Sequence, residues 1–343
     1  MKAAMVVSKG VLAVREVAVP VPDDYEVLCQ LLYGATCTGT DQHIIHGRVP
    51  WPVPHPVILG HESVGRVVRA GPNVRHFKEG DLLTRVGMPP APDGSHGIMW
   101  GGFAEYGVAR DHRAMREDGR PRAEWDGFRV NQVVPPSIEP RTATMIITWR
   151  ETLSYVTRLG VQAGASVLVV GSGGNGLACM AHARNLGAVQ RIMAGNPSRE
   201  AIASAAGATA YFDYHIEDLA NAAGGLCPDG FDFIIDAVGK GGVVDRVLPL
   251  LKPGGTVSIY GIDEFHNASI NPRLARGSFI CAAPEYDEEE THDAVVKHIL
   301  AGRLDASIWL DMDGACPLDE ISRAFDAIRE RKVVKALIKL TDD

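Results

Sequence analysis

The apolar run Val167-Leu168-Val169-Val170 empties into Gly171-Ser172-Gly173-Gly174-Asn175-Gly176-Leu177 and then into a proline-free helical stretch, Ala178 to Gly187. A strand, G-x-G-x-x-G and a helix in that order can hold the pyrophosphate of a dinucleotide. Gly171 permits the tight turn, Gly173 lets the backbone approach the phosphates, and Gly176 lets the helix pack closely on the strand. Gly174 and Asn175 lie between them, where the helix N-terminus can face the anion. A second group suggests different chemistry. Gly60-His61-Glu62 sets an imidazole beside a carboxylate. A catalytic zinc takes three ligands from Cys, His, Asp or Glu and keeps one position open for water or substrate. Six cysteines are scattered without a C-x-x-C pair, against a disulfide framework or a cysteine-only zinc cluster. Cys37 differs from the rest by lying in the polar string Thr36-Cys37-Thr38-Gly39-Thr40-Asp41-Gln42-His43.

The elements that must position these residues change character along the chain. The first 110 residues carry short strand-like runs (26–32, 63–69, 81–86) broken by Gly and Pro. From about 148 strands alternate with helices: 167–170, 191–194, 210–212, 231–236, 256–260 and 278–282. Six such strands predict a doubly wound parallel sheet. After about 285 an amphipathic helix (318–330) and a final strand (333–340) predict a return to the first domain. The segment Met115 to Arg129, rich in Arg, Asp and Gly, reads as a solvated insertion. The fold class is therefore α/β, with a Rossmann domain over 148–284 inserted into a strand-rich domain made of 1–147 and 285–343.

With 343 residues, 46% hydrophobic and 22% charged, the chain can build two cores. A net charge of −8 offers no basic field for nucleic acid or an anionic membrane. No segment has the roughly 18 apolar residues of a membrane span, and the start lacks a signal-peptide pattern, so a cytoplasmic protein is expected.

These features together resemble the medium-chain dehydrogenase/reductase superfamily, and within it the zinc-dependent alcohol and polyol dehydrogenases of sorbitol type. The resemblance covers nearly the whole chain. It rests on Gly39-Thr40-Asp41-x-His43 with His46-Gly47, Gly60-His61-Glu62, Gly80-Asp81, Gly101-Gly102-Phe103-Ala104-Glu105-Tyr106, Glu151-Thr152-Leu153-Ser154, the glycine fingerprint, Asp236-Ala237-Val238-Gly239 and Pro253-Gly254-Gly255. It implies a GroES-like catalytic domain and hydride transfer between a secondary alcohol and NAD(P). His61 would be a zinc ligand, Glu62 a ligand or its close partner, and Glu151 would take the third ligand position. Thr40 and His43 match a proton relay running through the cofactor ribose. The family's first ligand is a cysteine directly before Gly-Thr/Ser-Asp. Here Thr38 stands at that place and Cys37 one residue earlier, so Cys37 ligates only if the turn is shifted by a residue. A second, structural zinc needs four cysteines between about 85 and 105, and none occurs there.

Cofactor choice turns on the end of the second Rossmann strand, where an acid selects NAD. Counting back from Gly207 puts Ala194 at that place, which admits NADP, with Asn196, Ser198 and Arg199 available to its phosphate. NADP or NAD is expected, with the balance towards NADP. Tyr214 is a candidate for the adenine and Lys335 matches a family position at the pyrophosphate. Trp51 and Trp149 flank the ligand segments and are candidates for the substrate pocket. A glutamate at 151 resembles polyol, sugar or cyclitol enzymes more than alkanol ones. Small-molecule alcohol or ketone substrates and a homodimer or homotetramer are implied. The rival readings are a zinc-free quinone or enoyl reductase of the same superfamily and a non-catalytic NAD(P)-binding sensor.

Overall fold

The computed structural model describes residues 1–37, 39–215, 219–264 and 269–342. The chain divides into two units, 1–147 with 288–343, and 148–287. The second division lies three residues beyond the expected 284, within the segment that leads into the helix Glu288–Leu300. Among the described residues no helix is long and apolar enough to cross a membrane.

The inner unit is a six-stranded, wholly parallel sheet. Its spatial order is Ala210–Asp213, Gln190–Gly195, Ser166–Val170, Phe231–Asp236, Leu251–Ile259 and Ile280–Cys281. Ser166–Val170 is buried at every residue, as a strand covered on both faces must be. Leu168, Ile192, Phe231, Ile234 and Val257 belong to one apolar cluster of this unit.

The three fingerprint glycines have three different physical reasons to be glycine. Gly171 has φ +108°, which an L side chain rarely adopts. A Cβ on Gly176 would lie 2.0 Å from the carbonyl oxygen of Gly171, so the helix Gly174–Asn185 packs against the strand only without one. At Gly173 a Cβ would meet nothing within 4 Å, which leaves the backbone open to a ligand.

The outer unit holds two sheets. In one, Val11–Glu16, Lys2–Ser8, Val57–Ile58 and Gly97–Ile98 lie side by side. The other runs Cys316–Pro317, Leu337–Lys339, Glu26–Ala35, Glu62–Ala70, Leu82–Thr84 and Val133–Val134, with Tyr106–Arg110 also paired to Glu26–Ala35. Ala3, Val6, Leu31, Val57 and Phe103 are fully buried here. The expected last strand shortens to Leu337–Lys339, because Lys335 makes only an isolated bridge to Leu310. The amphipathic tail forms a short 3-10 turn, Leu318–Glu320, and the helix Ile321–Arg329, which buries Ile321, Ala324, Phe325 and Ile328. The insertion is solvated, with residues 116–123 exposed, and it is folded as the helices His112–Glu117 and Arg122–Trp125 and a 3-10 turn, Asp126–Phe128. Arg120 pairs with Glu124 and Arg122 with Asp126 inside it, while Glu117 and Asp118 pair with Arg75 and Arg129 reaches Glu289.

Candidate metal and dinucleotide sites

One strand register assembles the polar centre of the outer unit. Ala35 lies opposite Glu62 on one side and opposite Leu337 on the other. The chain leaving the central strand therefore passes between His61-Glu62 and Lys335-Ala336. Thr36 is fastened there, its N–H donating to the Ala336 carbonyl at 3.0 Å and its hydroxyl accepting from the Ala336 N–H at 2.9 Å. The next residue turns helical at once: the Asp41 N–H donates to the Cys37 carbonyl at 3.1 Å, just before the helix Thr40–Ile45. The carboxylate of Asp41 closes that turn by accepting the Cys37 N–H at 2.9 Å. Thr38 itself lies outside the described residues.

Cys37, His61 and Glu62, all buried, offer ligand atoms within 4.8 Å of one another. Among the described residues no other group of three His, Cys, Asp or Glu side chains does so. The His61 ring is oriented for ligation. Its Nε2 lies 3.8 Å from Glu62, while its Nδ1 faces Asp41 Oδ1 at 3.5 Å. That Nδ1 and that oxygen have no hydrogen bond in the protein, a buried polar pair of the kind that orients a metal-binding histidine. A thiol, an imidazole and a carboxylate together fit zinc. Asp41 emerges only from the structure as the group behind His61. In the sequence it was one letter of a family triplet, with no signal of its partner.

Burial pushes the His61 imidazolium towards its neutral form, but contacts with Asp41 and Cys37 outweigh that and bring the ring up to about 10. Without metal His61 is therefore protonated at neutral pH, and zinc must displace that proton. Zinc affinity should climb with pH until it passes the raised pKa near 10. Calorimetric titrations in buffers of different ionisation enthalpy should show proton release at pH 7; uptake without release would contradict this.

Lys335 corrects an expectation. Its ammonium is 1% exposed and sits on both oxygens of Glu62, at 2.6 and 2.5 Å, and on the Thr36 carbonyl at 2.9 Å. Three N–H groups meet three oxygens, so no donor is left for a pyrophosphate in this arrangement. Burial alone would lower its pKa, but the Glu62 charge prevails and raises it.

Thr40 opens its helix, and its hydroxyl accepts from the Cys37 thiol at 3.5 Å. His43 stands one turn on and is buried. Trp51 is 41% exposed and can present a face to a ligand. Trp149 is 0% exposed and cannot, which removes it from the pocket candidates. Trp100 was overlooked: it is 42% exposed, has φ +66°, and its ring centre lies 4.9 Å from that of His61. Its signal was its place directly before Gly101-Gly102, which are held close to Met88 and Ser63.

In the inner unit, the helix Gly174–Asn185 has no side-chain cap at Gly173, where an added Cβ would meet nothing within 4 Å, so this helix end fits a pyrophosphate. The second strand ends at Gly195, not at Ala194. Ala194 pairs with Val170 inside the sheet and is 0% exposed, so it cannot stand where a ribose is held. Asn196 follows the strand end, and its side chain accepts from the Ser198 N–H at 3.1 Å and hydroxyl at 2.7 Å. Arg199 follows, mostly buried, at the start of the helix Glu200–Ala206. Tyr214 packs against His215, ring centres 3.9 Å apart. Glu151, on the helix Met145–Leu159, accepts a hydrogen bond from the Tyr260 hydroxyl. Burial, with the Glu151 charge beside it, holds the Tyr260 phenol well above the usual range and keeps it a donor.

Residues 23–117 match the alcohol dehydrogenase GroES-like domain and residues 174–289 the zinc-binding dehydrogenase domain. D-arabinitol dehydrogenase 1 of Uromyces fabae is 24% identical over 344 residues, 94% of this chain and 92% of the relative. The NADP-dependent isopropanol dehydrogenase of Thermoanaerobacter brockii is 28% identical over 79% of this chain and 78% of its own. A crystal structure described as a zinc-binding dehydrogenase of Sinorhizobium meliloti 1021 bound to NADP superposes with TM-score 0.79 at 26% identity, covering 98% of both chains. The chain thus belongs to the zinc-binding, medium-chain alcohol and polyol dehydrogenases, as an NAD(P)-dependent enzyme with a GroES-like and a Rossmann domain.

Proposed function

We propose that this enzyme oxidises a secondary hydroxyl of a polyol, sugar or cyclitol to the ketone and passes the hydride to NADP, or with less preference to NAD. The observation that carries the reading is the buried set Cys37, His61 and Glu62, which we assign to one catalytic zinc; Glu151 is outside that set and is a ligand candidate by resemblance alone. When bound, zinc would polarise the carbon–oxygen group and make the hydroxyl more acidic. The chain does the rest. Asp41 fixes the His61 ring and Lys335 holds Glu62. Thr40 and His43, one helical turn apart, hold and move the proton, and Trp100 and Trp51 offer exposed aromatic faces to the substrate. The arabinitol relative and the glutamate at 151 support the polyol class. Asn196, Ser198 and Arg199 at an acid-free strand end support NADP. We take the enzyme to work in the cytoplasm as a homodimer or homotetramer.

The test is a panel of polyols, sugars, cyclitols and simple alkanols assayed with both coenzymes. Polyol-type substrates with NADP should give the highest kcat/KM. A charge-assisted hydrogen bond contributes about 1.5–3 kcal/mol, so Arg199→Ala should lower kcat/KM for NADP by about 10- to 100-fold. The NAD value should hardly change. Equal loss with both coenzymes would reduce Arg199 to a structural role, and alkanols preferred over polyols would overturn the substrate class.

A further inference from the structure

Both peptide planes of His61 are held by donors from elsewhere in the outer unit. On its N-terminal side the Gly60 carbonyl accepts the Gly102 N–H at 2.7 Å. On its C-terminal side the His61 carbonyl accepts a guanidinium N–H of Arg85 at 2.8 Å. Arg85 directly follows the strand Leu82–Thr84, and its own N–H donates to the Ser63 carbonyl at 2.9 Å. One arginine thus grips the segment at two carbonyls, on either side of Glu62. Its other terminal nitrogen donates to the buried carboxylate of Glu288 at 2.6 Å, at the first residue of the helix Glu288–Leu300. The Arg85 carbonyl accepts from the Asn131 amide at 3.0 Å. Arg85 has φ +59°, in the left-handed region that glycine or asparagine would enter at less cost, so the turn by itself does not ask for arginine.

We infer that Arg85 is a positioning residue for the metal set: by fixing the peptide plane between His61 and Glu62 it sets the direction in which both side chains leave the backbone. This rests on the reading of His61 and Glu62 as zinc ligands. A planar peptide links ψ of the first residue to φ of the second, so one hydrogen bond to that carbonyl acts on two ligands at once. With the Gly60 plane held as well, His61 keeps only its side-chain torsions, and its Nδ1 already faces Asp41. Glu288 in turn fixes the guanidinium. The fork is planar and rigid, so the nitrogen on Glu288 dictates where the nitrogen on His61 lies. The Arg85 side chain is 12% exposed and that of Glu288 3%, so water competes little for either bond. A lysine, a point charge on a flexible stem, would neutralise Glu288 without reproducing the fork.

The experiment measures zinc affinity by competition with a chromogenic chelator for the full-length wild type, Arg85→Lys, Arg85→Met, Glu288→Gln and His61→Ala, with a thermal melt of each metal-free protein. Glu288→Gln removes the ion pair but keeps an acceptor for the guanidinium. Arg85→Lys keeps a cation beside Glu288, so a folded variant is in hand if Arg85→Met does not fold. Losing a group that orients a ligand typically costs about 10- to 100-fold in metal affinity, so both Arg85 variants should bind zinc about tenfold more weakly or worse. Glu288→Gln should melt lower, as a broken buried pair does, yet bind zinc as the wild type does. The d–d bands of the cobalt(II)-loaded proteins, which respond to ligand geometry, should shift in Arg85→Lys and stay in place in Glu288→Gln. If His61→Ala loses zinc while Arg85→Lys keeps the affinity of the wild type, or Glu288→Gln loses as much as Arg85→Lys, Arg85 merely docks the helix; the positioning role is overturned and the ligand reading stands. If His61→Ala binds zinc as the wild type does, the ligand reading falls and the inference with it.

Discussion

Cys37→Ala and His61→Ala, purified beside the wild type, should each lose the near-stoichiometric zinc that elemental analysis finds in the parent. The two residues stand 24 positions apart, yet their donors and that of Glu62 lie within 4.8 Å of one another, on three buried side chains. Each deletion leaves two close donors where a catalytic zinc requires three. Activity should fall with the metal. Polarisation by the cation supplies several kcal/mol of transition-state stabilisation, so kcat/KM should drop by about a thousandfold or more. Zinc kept by Cys37→Ala but lost by His61→Ala would move the thiol out of the ligand set and leave His61, Glu62 and Glu151. A wild type that takes up no zinc, even when grown and purified with added metal, would replace the mechanism by that of a zinc-free reductase.

Lys335→Met should be the most destabilising single change in the outer unit. Glu62 is 3% exposed, and the ammonium of Lys335 lies on both its oxygens, closer than His61 Nε2 at 3.8 Å. Removing Lys335 takes away the closest counter-charge of the buried carboxylate and leaves His61 at a longer distance; breaking a buried pair costs up to about 3–5 kcal/mol, on the order of 10 °C in Tm for a domain of this size. The effect should depend on metal. With zinc removed by a chelator the full loss should appear. With zinc bound a new positive charge stands beside Glu62 and should recover part of it. A double variant, Lys335→Met with Glu62→Met, should melt above Lys335→Met alone, since replacing both charges by apolar groups is often neutral. Calorimetry on the wild type, Lys335→Met, Glu62→Met and the double variant, each with and without zinc, closes the cycle. A Lys335→Met protein that melts like the wild type in chelator would show that Glu62 has another buried partner of equal strength.

Such a pair could not be read from the residues alone. Lys332-Val333-Val334-Lys335 looks like the end of a strand with solvated lysines, and a family position near the pyrophosphate was the reading it carried. The structure instead turns Lys335 inward, because the chain there forms a bridge to Leu310 and a backbone pair with Thr36 rather than a continuous strand. Counting residues failed in a similar way at Ala194. The helix after the second strand begins with a 3-10 turn, Pro197–Arg199, so the distance from Gly207 misplaced the strand end by one residue. Trp149 also looked available by position, but no local pattern reveals that a helical tryptophan is wholly enclosed.

The features that were legible share a physical cause: they are local. A G-x-G-x-x-G turn states its own geometry, since positive φ at Gly171 and the missing Cβ at Gly176 are properties of a few consecutive residues. Buried parallel strands reveal themselves as apolar runs, and alternating strands and helices with right-handed crossovers leave few topologies to choose from. The parallel six-stranded sheet, its inserted position and the glycine roles were therefore determined by the sequence itself. The donor set was not. Cys37, His61, Glu62 and Lys335 meet because Ala35 lies opposite Glu62 on one side and Leu337 on the other. A slip of one residue would turn those side chains to the other face of the sheet. Register is chosen by the packing of entire strands, and that long-range choice, made only in the folded protein, decided that Cys37 lies beside the histidine and which cation guards the glutamate.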